Sequence, residues 1–550
     1  MDVLVVGAGP TGLTLAAELI RHGATVRIID RAAAPATTSR ALIVQARTLE
    51  VFEQMGMSMS EIGSPAVGAQ LMFPGRPPVR ISFEGGLEKM HTRHSAARSI
   101  NQDVTEGVLR EHLVALGATI EWGVGLVGFV QDADGVTAEL IHTDGSTESC
   151  RTSYIAGCDG ASSATRKAAG IPFDGVTYGI AGVQADVTLD WELPDGGLYF
   201  FPSGPGLIAA FPMTGERHFR LLANVPVDPA SGDESPYGAG RVLPTTEDIQ
   251  ALVDERMTIP AKIVETFWTS RYRLHGRGVP RYRNGRAFLA GDAAHIHSPV
   301  GAQGMNTGIQ DAHNLAWKLA AVAAGRAPDA LLDTYESERH PVAVALLRTT
   351  DRVFGIGTSD KLLPTLIRRR LMPVIAPRVL RSNRRTRGVA ALVSQLGIRY
   401  PNSPLNRSDG EAAKGTVRPG DRAPDGSVVT AGTSGRLHDL LRGAGHTVLI
   451  FAGTQDPAPV AELLALAAQL RVRYLDGPRV EVVAIGGAES TVDDPQGRMH
   501  EIWGAEAPTA FVVRPDGYVG YRGRPVSQAL LVADLDTRLR VAAGADPQRR

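Results

Sequence analysis

Residues 2–30, DVLVVGAGPTGLTLAAELIRHGATVRIID, decide the fold of this chain. Residues 2–6 are a run of β-type apolar side chains leading into Gly7-Ala8-Gly9-Pro10-Thr11-Gly12. An amphipathic helical pattern runs to about His22, and a second apolar strand, residues 24–29, ends on Asp30. Strand, glycine turn, helix, strand and terminal acid in that order predict the β-α-β unit that binds a dinucleotide. Gly7 permits the tight turn, Gly9 lets the backbone approach a pyrophosphate, and Gly12 lets helix and strand pack closely. Pro10 and Thr11 complete the turn. The helix N-terminus then offers unpaired N–H groups and a partial positive charge to the phosphates. Asp30 lies where a carboxylate accepts both hydroxyls of an adenosine ribose, with Arg31 beside it. The spacing alone does not separate FAD from NAD(P).

At 550 residues the chain is too long for one core, and two or three domains are expected. Hydrophobic residues make up 43% and charged residues 21%, the balance of a soluble globular protein. Lys+Arg 57 against Asp+Glu 58 leaves a net charge of -1, which gives no bias toward nucleic acid or an anionic membrane. Two cysteines, Cys150 and Cys158, are too few for a disulfide scaffold and suit a reducing cytoplasm. The N-terminus lacks a basic n-region and is not read as a signal peptide. No stretch reaches the roughly 18 unbroken apolar residues of a membrane helix.

Outward from Asp30, SRALIVQARTLEVFEQMGM carries apolar residues at helical spacing (Leu49, Phe52, Met55), with Gly56 as its stop. Arg40 and Arg47 sit at or before its start, where bidentate contact with a pyrophosphate competes with plain solvation. A helix is expected over about 103–116, with Gln102 preceding it, where its amide faces a ligand. Residues 123–156 read as a hairpin that delivers Cys158-Asp159-Gly160, and residues 159–166, DGASSATR, open another helix. From 172 to 278, short β-like runs alternate with Gly/Pro turns, as in an inserted antiparallel sheet. Then RNGRAFLAGDAAHIHSPVGAQGMNTGIQDAHNLAWKLAAVAAG gives a strand, Gly291-Asp292, a glycine-rich loop and a helix from about Met305 to Ala324. Ile309, Ala312, Leu315, Ala316, Leu319 and Ala320 form its packing stripe. The arginine-rich stretch LIRRRLMPVIAPRVLRSNRRTRG has no interleaved aromatics. It reads as a solvated or subunit-contacting face, which leaves a homodimer open, rather than as a nucleic-acid site. Beyond a Pro/Gly-rich linker, a β-α-β-α-β-β order looks like a thioredoxin fold. Residues 454–457 stand where that fold keeps Cys-x-x-Cys, and no cysteine lies there. Pro508 stands at the usual cis-proline position.

GAGPTG with Asp30, DGASSATR, and GDAAHIHSPVGAQGMNTGIQDAHNLAWKLA, in this order, resemble the class A flavoprotein monooxygenases, the FAD-dependent aromatic hydroxylases. The thioredoxin-like end narrows the resemblance to the branch acting on phenols and polycyclic polyketides. It implies an α/β fold in four parts. A discontinuous Rossmann-like FAD-binding domain (1–171 and 279–350) encloses an inserted antiparallel β-sheet substrate domain (172–278). A helical segment and linker (351–414) and a thioredoxin-like domain without Cys-x-x-Cys (415–550) follow. Carried over residue by residue, Asp30 holds the ribose of FAD, and Arg40, Arg47 and Gln102 lie along its pyrophosphate and ribityl chain. Asp292, after Gly291, accepts a ribityl hydroxyl. Pro299 and the loop from Gly301 to Asn306 border the isoalloxazine ring, with Gly304 and Met305 at the start of a helix aimed at the ring. Asp159, Gly160, Ser163 and Arg166 serve FAD and a passing nicotinamide nucleotide. Ser162 stands where the commoner motif has Arg.

The implied reaction consumes NADPH, or NADH, and O₂: reduced flavin takes up oxygen at C4a, and the hydroperoxide hydroxylates a small electron-rich aromatic substrate. A phenolic substrate activates itself on deprotonation, so no side-chain base is assigned. His295 and His297 read as parts of the flavin loop. The cluster His91, Thr92, Arg93, His94 and Arg98 is a candidate contact for an acidic or phenolic substrate. Flavin movement past Gly301 and Gly304 is expected to separate reduction from oxygenation. Baeyer–Villiger oxygen insertion is the nearest rival reaction, and a flavin-binding scaffold the non-enzymatic one. A halogenase is disfavoured by the absence of Trp-x-Trp-x-Ile-Pro. No metal site is expected.

Overall fold

Val3–Val6 is apolar at every position because it is covered on both faces. In the computed structural model it pairs in parallel with Val26–Asp30 on one side and Tyr154–Gly157 on the other. These strands form the centre of a six-stranded sheet that also takes in Ile120–Trp122, Ala287–Leu289 and Arg283–Asn284. The chain thus leaves this sheet after residue 157 and returns to it at 283. The Pro10–Arg21 helix starts with proline at its first turn, where the missing N–H is no loss.

The structure describes residues 1–37, 41–82, 84–203, 206–227, 243–297, 302–358, 383–410, 415–455, 457–474, 480–486 and 490–538. Arg40, Pro299, Gly301 and most of the arginine-rich stretch lie outside the described residues. Among the described residues no helix is long and apolar enough to cross a membrane.

Residues 124–152 form a three-stranded antiparallel sheet rather than a single hairpin: Val124–Gln131, Val136–His142 and Thr147–Thr152. Val136, Ala138 and Leu140 alternate inward. The large sheet is mainly antiparallel, with Gly68–Leu71 joining Leu198–Pro202 in parallel, and is broader than residues 172–278. Its long strands, Asp174–Asp190 and Lys262–Gly278, pair along most of their length, and Gly68–Leu71 and Val79–Ser82 extend the far edge. The Thr246–Arg256 helix, capped by the reciprocal Thr245/Asp248 bonds, covers one face with Ile249 and Val253. The alternating β signal had hidden this helix, whose apolar stripe is narrow.

The Gly304–Ala323 helix departs from a one-sided stripe: Asn306, Gln310, Asp311, His313, Asn314 and Lys318 are buried as well. It is covered by the Pro10–Arg21 helix on one side and meets Asp516 through Asn314 and Trp317 on another. In the last third of the chain, His446–Phe451 is buried at every position and pairs in parallel with Val480–Gly486 through the Val460–Arg473 helix. Thr509–Val513 and Val519–Gly523 complete the far side antiparallel, and helices cover both faces. The cis peptide bond recorded among the described residues is Arg524–Pro525. Pro508, just before the Thr509–Val513 strand, is therefore trans, against the expectation of a cis bond there.

Candidate active site

Three neighbouring parallel strands, Val3–Val6, Tyr154–Gly157 and Ala287–Leu289, end side by side. Gly7–Thr11, Cys158–Ala161 and Gly291–Asp292 therefore come together beyond their carboxyl ends, where open α/β sheets bind ligands. A cavity of about 420 Å³ lies there. One wall is largely backbone: Gly9, Pro10 and Thr11, then Gly160 and Ala161, then Ala302 to Met305.

The glycines divide into two kinds. A Cβ on Gly12 would overlap the Gly7 carbonyl oxygen, and one on Gly7 would strike the Cys158 carbonyl. Packing of the protein against itself fixes both. A Cβ on Gly9 would meet no protein atom within 4 Å, yet Gly9 lines the cavity. The protein itself leaves that space open to a ligand, and a pyrophosphate against the helix N-terminus fits it. The residues present thus fit FAD, with Asp292, Gly304 and Met305 also on the cavity surface.

The other expected residues are distributed as follows. Asp30 accepts hydrogen bonds from the Ala8 N–H (2.7 Å) and the Ala32 N–H (2.8 Å), which uses two of its roughly four lone-pair positions. Arg31 is exposed beside it. Gln102 lines the cavity, accepts from the Ala41 N–H and donates to Glu106. Asp159 caps the Ala164–Ala168 helix region through Ser163 and Thr165. Arg166 is buried, donates to the Ala293 and Ala161 carbonyls and stacks on Phe173, so it ties two cavity loops together from behind. Asn306 accepts from the Gln45 N–H and donates to the Ile43 and Ala302 carbonyls. His297 lines the cavity, whereas His295 is buried against Asp311. Burial pushes the Cys158 thiol well above its usual range, helped by Asp159 and Asp311, so it stays protonated beneath the glycine turn.

Two expectations are corrected. Arg47, 1% exposed, pairs with Glu50 (3.1 Å), donates to the Asp516 carbonyl and lies over Tyr518. It faces the C-terminal unit instead of the cavity. The 91–98 cluster does not reach the cavity either: Thr92 donates to Glu50, Arg93 pairs with Asp439 of the C-terminal unit and with Glu53, and Arg98 holds the nearby Ile62 and Gly63 carbonyls. Glu50 also receives Arg422 from the C-terminal unit; burial opposes its charge, but Arg422, His438 and Arg47 bring its carboxyl down to about 2.

The opposite wall escaped sequence reading. It is the face of the large sheet carrying Gln184, Arg220, Ser270 and Tyr272, with Phe211 and Leu222; Arg273 and His275 also line the cavity. Register builds it: Gln184 lies between Leu222 and Ser270, and Asp186 between Arg220 and Trp268. Arg220 is fully buried, grips Asp186 at 2.6 and 2.7 Å, and stacks near Trp268. The available signal was the alternation in GVQADVTL, whose polar members Gln184 and Asp186 share one face.

The chain matches the family described as FAD binding domain over residues 1–350, and the one described as aromatic-ring hydroxylase, C-terminal, over residues 416–545. It is 34% identical to a 6-methylpretetramide 4-monooxygenase of Streptomyces rimosus, over 97% of this chain and 93% of that one. It is 31% identical to a pentachlorophenol 4-monooxygenase of Sphingobium chlorophenolicum, over 98% and 96%. The solved anhydrotetracycline hydroxylase of Streptomyces rimosus superposes with a TM-score of 0.75 at 32% identity, covering 98% of each chain. The motif order, the cavity those motifs line and these likenesses agree: the chain belongs to the FAD-dependent aromatic-ring hydroxylases, a family of flavin-dependent monooxygenases.

Proposed function

We propose that this protein hydroxylates an aromatic polyketide-like or phenolic small molecule, consuming NADPH or NADH and O₂ with FAD as its cofactor. The observation that carries the reading is a cavity that lies between a backbone wall and a polar sheet wall. The first suits a dinucleotide; the second suits an oxygen-bearing ring system. The relatives named above, monooxygenases of a pretetramide and a chlorophenol, support the substrate class. FAD, when bound, supplies reduction by the nicotinamide nucleotide and activation of O₂.

The chain's own residues bind, orient and exclude. The Gly304–Ala323 helix directs its N-terminus, lined by Gln303, Gly304 and Met305, into the cavity, where it favours negative charge. The sheet wall orients the substrate, and the bound substrate displaces water from the reacting oxygen. No side-chain base is assigned, since a phenolic substrate activates its own ring. We further assign residues 1–171 and 279–350 to cofactor binding, 172–278 to the substrate side, and 415–550 to a thioredoxin-like unit with an assembly role. The parallel pair and antiparallel hairpin around His446–Phe451 support that last assignment. The buried, unpaired cysteines Cys150 and Cys158 suit work in the cytoplasm.

The test is direct. Purified protein should be yellow with one non-covalent FAD per chain, and coloured aromatic polyketides or phenols should accelerate NADPH oxidation and gain one oxygen by mass. A bound nicotinamide nucleotide in place of flavin would sink the reading. A product with an oxygen inserted into a ring C–C bond would move it to Baeyer–Villiger chemistry.

A further inference from the structure

Asp311 lies two turns inside the Gly304–Ala323 helix and is fully buried. Its carboxylate accepts three hydrogen bonds. One comes from the Gly291 N–H at 3.2 Å, one from His295 Nε2 at 2.7 Å and one from Arg339 Nε at 2.7 Å. The first two partners bracket the turn that carries Asp292. Arg339 continues to the Thr307 carbonyl on the same helix and to the Tyr400 hydroxyl. Burial alone would raise the Asp311 carboxyl, but Arg339 and His295 hold it below the usual value, so it stays a charged acceptor. The turn is also wedged from its other side: a Cβ on Gly291 would lie 2.6 Å from Thr11 Oγ1.

We propose that Asp311 is a positioning residue for the cofactor site, holding the Gly291–His295 turn, and with it Asp292, at a fixed distance from the cavity end of its own helix. Two separate pieces of the cavity surface, Asp292 and residues 302–305, are thereby set by one carboxylate. The inference rests on FAD as the occupant, as proposed above. His295 serves as the second tether: its ring stacks on Tyr282, and its Nε2 ties the end of the turn to Asp311.

Full-length protein stripped of flavin and titrated with FAD tests this. Asp311→Asn should weaken FAD at least tenfold. Glu338→Gln removes an equally buried carboxylate that grips the same helix at Asn314 and Lys318 without reaching the turn. It should lower the melting temperature yet leave FAD affinity within threefold. His295→Gln, whose amide nitrogen replaces Nε2, should bind FAD nearly as the parent does, whereas His295→Ala should lose about tenfold. Equal FAD losses for Asp311→Asn and Glu338→Gln, or for the two His295 variants, would overturn the proposal. If Asp311→Asn does not fold, the His295 pair decides. If the parent itself binds no FAD, the functional reading fails separately. Amide hydrogen exchange across 291–297 then still decides: it should be faster in His295→Ala than in His295→Gln, and equal rates reject the tether.

Discussion

Gly9 and Arg47 are both expected at the same pyrophosphate, yet only Gly9 reaches the cavity. Gly9 is placed by its immediate neighbours: a strand before it, a helix after it, and a turn that packing at Gly7 and Gly12 leaves little freedom. Arg47 has a long side chain whose direction local sequence does not fix. It is claimed by Asp516, 469 residues further on, and by Glu50 one helical turn away. Short-range backbone geometry carries cofactor chemistry here, and long-range side-chain partnership carries assembly.

The largest effect should come from breaking that assembly. Arg47→Met leaves Glu50 with Arg422 as its one remaining ion-pair partner, beside the Thr92 hydroxyl, and the Asp516 carbonyl without the Arg47 donor. Loss of one partner from a buried ion pair costs about 3 kcal/mol or more. Thermal or denaturant unfolding should show that loss, while FAD affinity stays within about twofold. Arg47 would return to the cofactor site if flavin were lost and stability kept.

Gly9→Val should do the reverse. Its backbone (φ -77, ψ -177) is extended, which valine adopts without strain, and its Cβ would meet no protein atom within 4 Å. The flavin-free protein should melt within a few degrees of the parent. FAD should weaken at least about 100-fold, or about 2.7 kcal/mol, because the side chain fills the space the pyrophosphate needs. Retained flavin at low free FAD would show that the phosphates lie elsewhere.

The same contrast explains what sequence could and could not show. The βαβ unit, DGASSATR and GDAAH were legible because each packs its information into a dozen residues of backbone geometry and spacing. The sheet wall was not. Arg220 becomes a cavity residue only because Asp186 pairs directly with it across two strands, and Tyr272 because the register sets it opposite Gly182. The 91–98 cluster misled for the reason Arg47 did: its partners Asp425, Asp439 and Arg422 sit far along the chain. The Thr246–Arg256 helix was missed since most of its residues face solvent and few apolar positions mark its buried side.

The smallest expected effect sharpens the division between the walls. Tyr272 lies on the sheet wall, its ring packed so closely over Gly182 that a Cβ there would collide with it. Tyr272→Phe keeps that ring and removes only the hydroxyl. A single neutral hydrogen-bonding group contributes about 1 kcal/mol, so the substrate KM should rise about fivefold. FAD affinity and the rate of flavin reduction without substrate should not change, because the backbone wall is untouched. An equal shift in FAD affinity would mean that the two walls act as one site. An unchanged KM would remove the Tyr272 hydroxyl from substrate recognition and leave Gln184 and Ser270 as the polar groups of that wall to test next.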